Sequence, residues 1–116
     1  MPDDIIAKFK KEREQLTGVM LNYSGTNTKR LLNVDWNVYK DGALNAKTKE
    51  LLGLATSTVL RCDDCIMYHL IRCFEEKVTS EELEETLAIA YTVGGSITIP
   101  HIRRAWKHWD KMKKES

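Results

Sequence analysis

Cys62, Cys65 and His69 lie within one nine-residue stretch, Arg61-Cys62-Asp63-Asp64-Cys65-Ile66-Met67-Tyr68-His69. Read as the start of a helix, the three occupy i, i+3 and i+7 and share a face. Two thiols with an imidazole one turn further on form a redox constellation. The thiolate is the reactive form of cysteine, and both a helix N-terminus and a neighbouring imidazole favour it. His69 is four residues beyond Cys65, within reach of its sulfur. Cys62 is close enough to close a disulfide once either sulfur is oxidised. The two influences select different sulfurs: the helix end favours Cys62 and the histidine favours Cys65. Asp63 and Asp64 fill the positions between the thiols. Their charge disfavours a thiolate, although acidic residues suit a helix N-terminus.

A third cysteine extends the pattern to Cys62-x2-Cys65-x3-His69-x3-Cys73, which looks like four zinc ligands. Helix geometry opposes that reading. On one continuous helix Cys62 and Cys73 stand about 16 Å apart along the axis, and a tetrahedral ion needs every ligand at about 2.0–2.3 Å. We expect no metal and no other cofactor. Cys73 reads as an apolar filler of the helix, and His101 and His108 read as structural.

Glu50 is the fourth candidate. If the helices on either side of Arg61 form an antiparallel hairpin, Glu50 precedes the turn by eleven residues and His69 follows it by eight. The axial offset is about 4.5 Å, so the carboxylate can lie beside the imidazole and orient it, as acids do in catalytic triads. The bland alternative is a first-turn glutamate favoured by the helix dipole.

These residues need a scaffold, and the remaining sequence is helical in period. Asp3 or Asp4 can cap a first helix with Ile5, Ile6, Phe9 and Leu16 inward and a stop at Thr17-Gly18. Thr28 to Tyr39 predicts a second, with Leu31, Leu32, Trp36 and Tyr39 on one face. The third runs from Asn45 to about Leu60, the fourth from Cys62 to about Lys77. A Thr79-x-x-Glu82 capping box opens the fifth, which Gly94-Gly95 ends. Pro100 suits the first turn of the sixth. The reading is one all-α domain over residues 1–116, a compact bundle of about six helices. Helices three and five are apolar on most sides, more than one small core needs, which predicts a homo-oligomer.

Net charge is +1, and the charged residues, 30% of the chain, mix both signs. This excludes an electrostatic case for nucleic acid or an anionic membrane. Acidic Met1-Pro2-Asp3-Asp4 precedes no apolar segment of signal-peptide type, and no run is long enough to span a bilayer. A cytoplasmic location is expected. In such a reducing compartment a C-x-x-C pair favours redox or metal chemistry over a structural bridge.

The arrangement Glu50-x11-Cys62-x2-Cys65-x3-His69 resembles the signature of the alkylhydroperoxidase AhpD-like branch of the carboxymuconolactone decarboxylase family. The flanks Leu44 to Leu60 and Val93-Gly94-Gly95-Ser96 to His101-Ile102-Arg103-Arg104-Ala105 are similar too, and the resemblance covers about residues 28–110. It implies an all-helical fold, commonly a hexamer built as a trimer of dimers, and thiol-dependent reduction of peroxides. By the same resemblance Cys65 attacks the peroxide, Cys62 closes the disulfide, His69 is the base and Glu50 supports it. A dithiol or protein thiol would be the reductant. The alternatives are a disulfide oxidoreductase without peroxide turnover, a lyase on the related decarboxylase scaffold, and a structural oligomer with an inert site.

Overall fold

The computed structural model describes residues 4–116. Six α-helices carry almost all of them: α1 (Ile5–Tyr23), α2 (Thr26–Val38), α3 (Ala46–Val59), α4 (Asp63–Glu75), α5 (Ser80–Gly94) and α6 (Ile99–Glu115), with a 3-10 turn at Ser96–Thr98. Among the described residues there is no strand. Local sequence explains the starts. Asp4 Oδ1 accepts from the Ala7 N–H at 2.7 Å, and Asn45 Oδ1 accepts from the Thr48 N–H at 2.8 Å. Asp3, the other candidate cap for α1, lies outside the described residues. Thr79 and Glu82 form both bonds of the capping box. Gly95, at φ +82°, provides the left-handed break after α5, and Pro100 sits in the first turn of α6.

The core lies among α3, α4, α5 and α6. Leu54, Leu70, Ile71, Leu83, Leu87, Trp109 and Met112 are buried there, with Ile5, Ile6 and Phe9 of α1 packed against its edge. Helix α3 is central, lying against both α4 and α5. Trp109 keeps its indole N–H satisfied by donating to Ser80 Oγ at 3.0 Å, which ties α6 to the start of α5.

The N-terminal third departs from expectation. Helix α1 does not stop at Thr17-Gly18 but runs on to Tyr23. One glycine inside an exposed helix costs only about 1 kcal/mol relative to alanine, and Val19, Met20 and Leu21 continue the turn. Leu16 does not face inward; it is 71% exposed. In α2, which begins at Thr26, Leu32 is half-buried, as is Tyr39 just past the helix end, while Leu31 and Trp36 are exposed. Neither α1 nor α2 has a fully buried residue. Within the bundle, Leu52, Leu60, Ile89, Val93 and Ile97 also present apolar side chains to solvent.

Candidate active site

The turn between α3 and α4 delivers the cysteines. After Val59 the Arg61 N–H donates to Thr58 O at 3.0 Å and the Cys62 N–H to Ser57 O at 3.1 Å. This is the bonding pattern of a Schellman motif. Arg61 takes the left-handed position at φ 60°, where glycine is usual; a non-glycine residue there costs on the order of 1 kcal/mol. The reversal leaves Cys62 as the N-cap of α4 and Cys65 in its first turn. Their Cα atoms are 5.3 Å apart and a disulfide joins their sulfurs, a separation ordinary for such a bond. The Cys65 N–H donates to Cys62 Sγ at 3.2 Å. Cys65 is exposed and Cys62 half-buried.

Behind the cysteines, on the same helix, His69 is buried against α3. Its Nδ1 lies 2.9 Å from Oε1 of Glu50, which is 1% exposed. A carboxylate only accepts, so Nδ1 carries the hydrogen and Nε2 is left as the basic nitrogen. The Tyr39 hydroxyl faces Nε2 at 3.4 Å. Burial first, then the Asp35 and Glu50 carboxylates, push the Tyr39 hydroxyl above its ordinary range, which keeps it a donor. Glu50 is held from its other oxygen by Arg72 Nε at 3.5 Å. Burial weakens the Arg72 charge, but the hydrogen bond to Glu75 and the Glu50 and Glu75 carboxylates outweigh it. Gly53 lies against the face of the imidazole. A Cβ there would meet His69 Cε1, Nδ1 and Nε2 at 2.6, 2.8 and 2.9 Å, so the ring occupies space that only glycine leaves open.

Asp63, beside Cys62, is gripped from α6. His101 Nδ1 lies 2.7 Å from Oδ1 and Arg104 Nη2 lies 3.1 Å from Oδ2. The His101 hydrogen bond foremost, with Arg104 adding to it, holds the Asp63 carboxyl below its usual range.

The structure therefore brings together Glu50 and His69, and Cys62 and Cys65. It does not bond the imidazole to sulfur: Nδ1 is taken by Glu50, and Nε2 looks toward Tyr39. Cys73 is free and buried in the core, where burial above all pushes its thiol up to about 12. His108 is half-buried on α6; burial leads the causes that lower its imidazole, and the Asp63 carboxylate acts the other way. Among the described residues no group of three or more His, Cys, Asp and Glu side chains stands ready to hold a metal ion. A cleft of about 1040 Å³ opens between α1, α2 and the α3–α4 hairpin, with Tyr39, Glu50, Tyr68 and Arg72 on its wall.

Tyr39, Arg72 and the His101–Arg104 pair were not legible as site residues from spacing around the cysteines. Arg72 had one available signal, its position three residues past His69 on the same face. Tyr39 and His101 are brought in by tertiary packing from α2 and α6.

The model of the carboxymuconolactone decarboxylase family matches residues 26–108. Two crystal structures of one Thermotoga maritima protein superpose with TM-scores of 0.91 and 0.86, at 51% and 52% identity. The first match covers 93% of this chain and 95% of that one, the second 92% and 91%. That protein is described as a member of the same family for which a part in antioxidative response has been suggested. An uncharacterised protein of Cupriavidus necator is 33% identical over 73 residues, which span 63% of this chain and 65% of that protein. The chain thus matches less than two thirds of that curated relative's length.

Proposed function

The chain belongs to the carboxymuconolactone decarboxylase family, and we propose that it is a thiol-dependent peroxidase of the alkylhydroperoxidase type. It reduces hydrogen peroxide or organic hydroperoxides through a Cys62–Cys65 disulfide. One observation carries the reading: a disulfide at the open start of α4 shares that helix with His69, whose buried imidazole is paired with the Glu50 carboxylate of α3. The antioxidative role suggested for the Thermotoga maritima relative points the same way.

Cys65 is the attacking sulfur, because it is the more exposed of the two and stands one turn from His69. Its thiolate attacks one peroxide oxygen, the O–O bond breaks, and Cys65 becomes a sulfenic acid while an alcohol or water leaves. His69, oriented by Glu50 through Nδ1, takes the thiol proton at Nε2 through a bridging water, once the Tyr39 hydroxyl gives up its 3.4 Å contact there, and returns it to the leaving oxygen. Cys62 then attacks the sulfenic sulfur, an S–S bond forms and water departs. A dithiol or a protein thiol restores both cysteines by exchange. The cycle calls on no metal and no organic cofactor.

The exposed apolar side chains of α1, α2 and α5 support assembly with further copies of the chain, and a hexamer built as a trimer of dimers suits the family. We place the protein in the cytoplasm, where C-x-x-C pairs cycle; among the described residues no helix is long and apolar enough to cross a membrane. The second reading is a disulfide oxidoreductase that passes electrons to another protein. It is favoured by the exposed carboxylate of Asp64 between the thiols, which opposes fast attack. Steady-state peroxide consumption with dithiothreitol as reductant separates the two. Catalytic consumption that disappears in Cys65→Ser supports the peroxidase; reduction of a protein disulfide with no peroxide turnover replaces it with the oxidoreductase.

A further inference from the structure

The sequence sets a carboxylate beside each thiol, and electrostatics alone would penalise a thiolate there. At Asp63 the fold answers that penalty. Helix α6 begins next to the start of α4, and its first turns direct His101 and Arg104 onto the two oxygens of Asp63, at 2.7 and 3.1 Å. Arg104 is always charged, so the Asp63–Arg104 pair brings no net negative charge to Cys62. His101, only 17% exposed at its side chain, spans the gap between α6 and the carboxylate and holds it turned toward α6. The cysteine segment is thus flanked by two carboxylate–imidazole pairs, Glu50–His69 inside and Asp63–His101 at the rim.

We propose that His101 and Arg104 are positioning residues for the dithiol: by clamping Asp63 they neutralise the carboxylate next to Cys62 and favour the Cys62 thiolate. The inference rests on the dithiol reading of the site, in which Cys62 is the resolving sulfur. Resolution needs that thiolate to attack the Cys65 sulfenic acid, forming the S–S bond as hydroxide leaves and is protonated to water. The clamp acts through Asp63 and touches no substrate. The same effect bears on exchange with the reductant, because a favoured thiolate makes the Cys62–Cys65 disulfide easier to reduce.

The test uses the full chain carrying Cys65→Ser, in which Cys62 is the accessible thiol and Cys73 is silent in the core. Alkylation by iodoacetamide at pH 7 reports the thiolate fraction of Cys62 and requires no peroxide. His101→Gln and Arg104→Gln, each folded by circular dichroism, should slow it by about three- to tenfold, a moderate effect for a partly exposed charge pair. Arg104→Lys keeps the charge and should recover most of the rate. With Asp63→Asn in place the same two substitutions should change the rate by less than about twofold, since non-additivity marks residues that act through one another. In the chain with both cysteines, His101→Gln should also shift the exchange equilibrium with glutathione toward the disulfide. Unchanged alkylation in both variants, or equal slowing with and without Asp63, overturns the proposal. Arg104 is about half exposed at its side chain, so if His101→Gln fails to fold, Arg104→Gln decides. Failure of the wild-type chain to turn over peroxide leaves this measurement standing and overturns only the peroxidase reading.

Discussion

The Nδ1 of His69 lies 2.9 Å from Oε1 of Glu50, across the hairpin that α3 and α4 make around Arg61. Both groups are buried, and a polar pair placed so deep must satisfy its own hydrogen bonds. The pair does so with Arg72 on the carboxylate and Tyr39 on the imidazole. The buried end of the site is therefore a fixed carboxylate–imidazole pair, and the exposed end is a sulfur pair.

Glu50→Gln should keep the helical fold and slow peroxide turnover by roughly 10²-fold, at the lower end of general-base contributions. The amide can still contact Nδ1, but it leaves the imidazolium formed during the reaction without its counter-charge, and leaves Arg72 without one partner. Rates indistinguishable from wild type between pH 6 and pH 9 would reduce Glu50 to a helix-start residue.

Gly53→Ala probes the same ring from its other side. The new methyl would stand 2.6 Å from His69 Cε1, inside van der Waals contact, so the imidazole must leave Glu50 or α3 must shift. Overpacking of this kind costs about 1–3 kcal/mol. Turnover should fall about as far as in Glu50→Gln, with circular dichroism little changed. A crystal structure of the variant with His69 still on Glu50 would contradict the expectation.

Cys73 should take no part in redox chemistry. Its thiol is pushed up to about 12, chiefly by burial, so the native protein should resist alkylation there at pH 8 and yield only in denaturant. The sign of the linkage follows. A thiol raised in the folded state contributes stability that is complete below its unfolded value, near 8.5, and is lost as pH climbs toward about 12. Unfolding monitored from pH 8 to 11 should show that decline, and Cys73→Ala should be less sensitive to alkali. Rapid native labelling of Cys73 would refute this.

Much of this arrangement was legible in the sequence because it is local. Cys62, Cys65 and His69 are tied by helical spacing, and the register of one hairpin is enough to bring Glu50 near His69. The Thr79–Glu82 box and the Gly95 break are equally local in cause. The rest depends on contacts far apart in the chain. Tyr39 reaches His69 only because the end of α2 folds against the α3–α4 hairpin, and Asp63 meets His101 only because α6 starts beside α4. Read alone, Asp63 was a charge that opposed the thiolate; packed, it is a paired charge. Gly18 misled for another reason. A glycine in an exposed helix is a modest penalty, and the residues after it outweighed it.

The apolar side chains left at the surface predict assembly. Leu16 and Trp36 are 71% and 77% exposed, and Tyr23, Leu31, Ile89 and Val93 extend the same character over α1, α2 and α5. Lone chains seldom leave so much apolar surface in water. Sedimentation equilibrium at micromolar concentration should give a species larger than a dimer, and Trp36→Glu should shift it toward smaller forms. A stable monomer for the unmodified chain would contradict this.

The most direct measurement is a single turnover. One equivalent of hydrogen peroxide is added to the fully reduced protein, residual peroxide is measured, and the thiols are mapped by mass spectrometry. The account predicts that one peroxide is consumed per chain as one Cys62–Cys65 disulfide forms, with Cys73 still reduced. In Cys62→Ser the same addition should stop at a sulfenic acid on Cys65 that a dimedone reagent traps. Peroxide that disappears no faster than with an ordinary thiol, or faster trapping of sulfenic acid on Cys62 in Cys65→Ser than on Cys65 in Cys62→Ser, would contradict it.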